Sequence, residues 1–120
     1  IRQSDIITLH CPLTPDTRDI IAKSEFAIMT KKPLIINASR GGLVNESDVI
    51  EALDKGLIGG AAFDVLTAEP PADDHIFMAH LNRPNFIVTP HIAWASSQAM
   101  QTLWDQLIGH IDHFAKGTPR

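Results

Sequence analysis

PLIINASRGGLVNESDVIEALDKG, running from Pro33 to Gly56, decides the fold. Pro33 opens a short apolar run, Leu34-Ile35-Ile36-Asn37, β-branched in the way that buried parallel strands are. Paired glycines, Gly41-Gly42, break the chain after it. Asn45-Glu46-Ser47-Asp48 then resembles a capping box opening a helix to about Lys55. Val49, Ile50 and Leu53 keep helical spacing, and Gly56 sits where a C-terminal stop belongs. Strand, turn, helix and stop in that order make half of a β–α–β unit, and such units build parallel sheets.

The same grammar extends on both sides. Upstream, Asp5–His10 reads as a strand ended by Cys11-Pro12, and Ser24–Met29 as a short helix. Downstream, Ile58–Val65 reads as a strand whose Gly59-Gly60-Ala61-Ala62 suggests close approach of backbone or ligand. A loop rich in Pro and Asp covers Thr67–Asp74. Phe86–Thr89 is a fourth strand, stopped by Pro90. Ser96 or Ser97 caps a long final helix whose Met100, Leu103, Trp104, Leu107, Ile108, Ile111 and Phe114 form one apolar stripe, for a core or an interface. Gly117 and Pro119 end it.

The expectation is an α/β fold, the C-terminal half of a doubly wound parallel, Rossmann-type sheet. The G-x-G-x-x-G turn that opens such a domain has no counterpart in the sequence. Residues 1–120 are therefore read as a partial nucleotide-binding domain, with Ile1 lying at a cut edge. Its Asp5–His10 strand would expose an apolar sheet edge.

Bulk properties narrow the function classes. The 120 residues are 44% apolar and 20% charged, with a net charge of −4. Nothing basic or repetitive suggests a nucleic-acid partner. No apolar run approaches the roughly 20 residues that span a bilayer. A single cysteine, Cys11, rules out an intrachain disulfide framework and fits a reducing, cytoplasmic setting. His110 and His113 are three apart on a helix, but no third ligand is suitably spaced, and no metal site is expected.

Chemistry concentrates just past the apolar runs, where open α/β sheets bind ligands. NASRGG places Arg40 there, FDVLTAEPP places Asp64 and Glu69, and TPHIAW places His91. A guanidinium holds a carboxylate through two parallel hydrogen bonds. An imidazole moves a proton. A nearby carboxylate orients that imidazole and favours its charged form. Together they make a kit for reducing a 2-keto acid. Singly, each has a plainer reading: Arg40 as a turn cap, His91 as a loop residue, Glu69 as an acidic loop residue stiffened by Pro70-Pro71, Asp64 as a turn aspartate. Trp94 is either a pocket wall or core.

HCPLTPDT, INASRGGLVNESDVIEAL, GGAAFDVLTAEPP and NFIVTPHIAWAS, in that order, resemble the D-isomer-specific 2-hydroxyacid dehydrogenases over about Ser4 to Gly117. Within the family, TPHIAWAS and AAFDVLTAEPP look most like the bacterial glycerate dehydrogenase (hydroxypyruvate reductase) branch. Formate dehydrogenases of the superfamily carry Gln where this chain has Glu69. The resemblance implies that Arg40 binds the substrate carboxylate, that His91 is the general acid/base and that Glu69 is its partner. It implies that Asp64 touches the nicotinamide end of NAD, and that Cys11, Ala38, Ser39, Arg40, His91 and Ala93 line the cofactor. It implies a small 2-keto or 2-hydroxy acid, such as hydroxypyruvate and D-glycerate, with NAD favoured over NADP, and a homodimer when intact. Two rivals stay open: a nucleotide-sensing, corepressor-like binding protein on the same scaffold, and an inert truncated fragment.

Overall fold

The computed structural model of the chain describes residues 1–119. Four strands, β1 (Ile6–Leu9), β2 (Leu34–Asn37), β3 (Gly60–Phe63) and β4 (Phe86–Val88), pair in sequence order. Every pairing is parallel. Helix α1 (Lys23–Ala27) links β1 to β2, α2 (Glu46–Asp54) links β2 to β3, and α3 (Ser97–Ala115) follows β4. A 3₁₀ turn at Met78–His80, which the sequence pattern does not signal, precedes β4.

The register aligns Ile7, Ile35, Ala61 and Phe86 in one row and Leu9, Asn37, Phe63 and Val88 in the next. These rows face the core, where Val49, Ile50, Ala52 and Leu53 of α2 join them. Phe77 is fully buried, its ring 5.0 Å from Phe63 and 4.8 Å from Phe86. The opposite sheet face carries Ile6, Leu34 and Ile87, all exposed. The stripe on α3 is exposed too and lies outside the core that the described residues form.

One local expectation changes and another narrows. The capping box of α2 forms only by half: the Asn45 side chain accepts from the Asp48 amide at 3.1 Å. Its second half is diverted, because the Asn45 amide donates to Ile21 O and the Asp48 carboxylate accepts from the Lys23 amide at the start of α1. The small residues opening β3 are there for backbone approach. A Cβ on Gly59 would meet Lys32 O at 2.8 Å, and one on Gly60 would meet Asn85 O at 2.9 Å.

Candidate active site

The side chains singled out in the sequence gather past the C-terminal ends of the four strands. Cys11 follows β1, Ala38–Arg40 follow β2, Asp64 follows β3, and His91 and Ala93 follow β4. Hydrogen bonds link them laterally. Ser39 Oγ donates to Cys11 O at 2.8 Å, tying the first two turns. The Asp64 amide donates to Asn37 O at 3.0 Å, tying the second to the third.

The Arg40 turn is built by Asn37, a residue whose structural weight the sequence reading passed over. Its buried side chain donates from Nδ2 to Arg40 O at 2.9 Å and accepts the Ser39 amide at 3.2 Å. A polar residue ending an otherwise apolar strand is the signal that could have found it, since a buried amide must be fully partnered. Arg40 itself is exposed, with Nη1 donating to Ser39 O at 2.7 Å. Among the described residues it makes no ion pair, which leaves its planar donor fork for a carboxylate.

His91 lies in the left-handed region at φ 54°, a conformation that costs a non-glycine residue and persists only when its surroundings hold it. Asp64 does the holding. Its buried carboxylate accepts from Thr89 Oγ1, from the Ile92 amide at 2.9 Å and from the Ala93 amide at 2.8 Å. Burial alone would push the Asp64 carboxyl up. The Thr89 hydroxyl and the two amides outweigh burial and hold it below the usual range. Asp64 thus fastens the turn that aims His91, the plainer of its two readings. One acceptor position on Oδ2 remains for a ligand amide.

Glu69 meets His91 directly, with Oε2 2.7 Å from Nδ1. The His91 hydrogen bond, and then the Leu66 amide at 2.8 Å on Oε1, lower the Glu69 carboxyl from its ordinary value. Glu69 is therefore a carboxylate near neutrality and can only accept. It follows that Nδ1 of His91 carries a proton and that Nε2 is the atom left to give or take one. An apolar cavity of about 520 Å³ adjoins the pair, walled by Leu66, Pro70, Met78, Leu81 and Val88. Trp94 is exposed, not core, and donates from Nε1 to His91 O at 2.8 Å.

A family model described as the D-isomer specific 2-hydroxyacid dehydrogenase, NAD binding domain, matches residues 1–93. The chain belongs to that family. It is 49% identical over 120 residues to a glycerate dehydrogenase of Methylorubrum extorquens, covering all of this chain and 38% of that protein. Among solved structures, D-lactate dehydrogenase with NAD+ from Lactobacillus jensenii superposes with a TM-score of 0.88 at 33% identity, over 99% of this chain and 38% of that one. An NADPH-dependent glyoxylate/hydroxypyruvate reductase from Sinorhizobium meliloti, in complex with NADP and sulfate, gives 0.78 at 36% identity, over 98% and 37%. This chain of the 2-hydroxyacid dehydrogenase family thus spans under two fifths of each of these relatives. Among the described residues, no helix is long and apolar enough to cross a membrane, and no three or more His, Cys, Asp or Glu side chains gather as a metal site.

Proposed function

We propose that the protein carrying this chain interconverts a 2-keto acid and a D-2-hydroxy acid with a nicotinamide cofactor, and that residues 1–120 are part of its NAD-binding domain. The carrying observation is the 2.7 Å Glu69–His91 pair, which leaves Nε2 as the proton-exchanging atom of His91, on a strand-end edge shared with Arg40. The residues fit a nicotinamide: Cys11, Ala38, Ser39 and Ala93 are small, and the spare acceptor of Asp64 suits a carboxamide. Bound there, the cofactor supplies or removes the hydride at the substrate carbon.

The chain does the rest. Arg40 holds the substrate carboxylate in its fork and draws charge from the adjacent carbonyl. In reduction, protonated His91 gives its Nε2 proton to the carbonyl oxygen as negative charge develops there. In oxidation, neutral His91 takes the hydroxyl proton through the same atom. Glu69 keeps Nδ1–H fixed, so the ring neither flips nor changes tautomer.

Hydroxypyruvate and D-glycerate are the favoured pair, on the likeness to the glycerate dehydrogenase and the glyoxylate/hydroxypyruvate reductase. NAD is preferred to NADP by family description, while solved neighbours carry NAD in some cases and NADP in another. The protein is proposed to be cytoplasmic and homodimeric. The relatives described above are dehydrogenases or reductases by name, which supports catalysis over a nucleotide-sensing role. The test is oxidation of NADH and of NADPH by the full-length protein with hydroxypyruvate, glyoxylate and pyruvate. Hydroxypyruvate-dependent oxidation of NADH is expected. Tight NADH binding without turnover on any of the three acids would reject the proposal in favour of a sensor.

A further inference from the structure

Glu69 sits on an exposed loop, and a carboxylate on a free loop would spend little of its time on His91. General acid–base groups work only when held within a fraction of an ångström of their working geometry. Something must hold this loop, and neither Glu69 nor His91 can do so alone.

The restraint comes from α2. Glu46, its first residue, accepts through Oε1 from the Thr67 amide at 2.7 Å and from Thr67 Oγ1 at 2.9 Å. Its other oxygen, Oε2, lies 3.1 Å from Nε2 of His75. The His75 ring is fixed in turn, because Nδ1 accepts the Phe77 amide at 3.2 Å. With Nδ1 accepting, the ring proton sits on Nε2 and points at Glu46. Phe77 is anchored in the aromatic core against Phe63 and Phe86. The side chains of Glu46 and His75 are only 13% and 14% exposed, so water competes weakly for these bonds.

We propose that Glu46 is a positioning residue for the proton-transfer pair, clamping both ends of the Thr67–His75 loop so that Glu69 stays on His91. Thr67 is two residues before Glu69 and follows Leu66, whose amide holds the other Glu69 oxygen. The clamp also joins the two halves of the site, since Glu46 opens α2 directly after the β2–α2 connection that carries Arg40. Glu46 touches no reacting atom and acts only through Glu69.

The inference rests on the proposed proton transfer, so its test reads the Glu69–His91 contact directly as well as turnover. In the full-length protein, the His91 Nδ1 proton resonance should broaden or vanish in Glu46→Ala, with NADH affinity by fluorescence titration unchanged. Turnover should fall on the order of tenfold, as for other residues that orient a working group. Glu46→Gln, which keeps an acceptor for Thr67, should restore part of it. In a Glu69→Gln background, Glu46→Ala should cost less than about twofold more, because the group it positions is already lost. If Glu46→Ala fails to fold, Thr67→Val removes the hydroxyl bond to Glu46 Oε1 and keeps the amide bond, so the same resonance is expected to broaden to a smaller extent. An unchanged resonance, or losses that multiply in full in the double variant, overturns the clamp. A resonance that responds in a protein showing no keto-acid turnover sustains the clamp and rejects the dehydrogenase reading.

Discussion

At His91 a strained backbone and a hydrogen-bonded imidazole meet in one residue, and each is held by a different carboxylate. Asp64 fixes the turn and Glu69 fixes the ring, so the two should fail differently. Glu69→Gln keeps a hydrogen-bond acceptor but loses the charge opposite the imidazole. It should lower hydroxypyruvate turnover on the order of a hundredfold with NADH affinity intact, checked by steady-state kinetics beside a binding titration. Arg40→Lys, which trades the fork for a point charge, should instead raise KM for hydroxypyruvate by about tenfold or more. Asp64→Asn should appear in stability. Because the folded carboxyls of Asp64 and Glu69 are both depressed, their contribution is fully present above the unfolded values of about 4 and is lost as pH falls through the lower folded ones. The melting-temperature gap between wild type and Asp64→Asn should therefore be widest near neutrality and close in acid. A gap independent of pH would show that Asp64 does not hold the turn as a carboxylate. The strand-end placement of Arg40, Asp64 and His91 was legible from the apolar runs, whereas the roles given to Arg40, Glu69 and His91 came from the family resemblance and stand as proposals. Asn37, Glu46, Thr67 and His75 were not, because their roles lie in contacts between segments distant in sequence.

Between elements, the Arg40 turn and the loop bearing Glu69 touch backbone to backbone. A Cβ built on Gly41 would lie 1.9 Å from Leu66 O, and nothing there can give way, because the neighbour is main chain. Gly42 beside it takes φ 84°, which a side chain rarely adopts. The glycine pair is thus what lets the two functional turns approach, beyond merely breaking the chain after β2. Gly41→Ala should destabilise by more than about 2 kcal/mol, seen as a lowered thermal midpoint or as loss of soluble protein. A melting curve matching wild type would refute that contact. The elements themselves were legible from apolar periodicity and Gly and Pro punctuation, to within a few residues at each end. The helix cap was half misread for one reason: Asn45 and Asp48 find tertiary partners in Ile21 and Lys23 that local pattern cannot reveal.

Across the whole molecule, the described chain leaves apolar surface bare in two places. A parallel sheet ordinarily has helices on both faces, yet Ile6 and Ile87 are 59% and 60% exposed on one side of this one. Helix α3 has no buried residue over its whole length, and its Leu103, Trp104, Ile111 and Phe114 face solvent. The radius of gyration is 18.0 Å, against about 13.5 Å for a compact chain of this length. Helices in proteins draw most of their stability from packing an amphipathic face, so the stripe on α3 requires cover to persist. A polypeptide of residues 1–120 alone should therefore self-associate at micromolar concentration. Light scattering should give a mass that rises with concentration above 13.2 kDa. Charging the stripe with Leu103→Glu, Leu107→Glu and Ile111→Glu should reduce association through the helix. Charging Ile6 and Ile87 should reduce association through the sheet. A concentration-independent 13.2 kDa species that retains the helicity of α3 would mean that these faces are stable in water, and would remove the physical argument that other protein surface covers them.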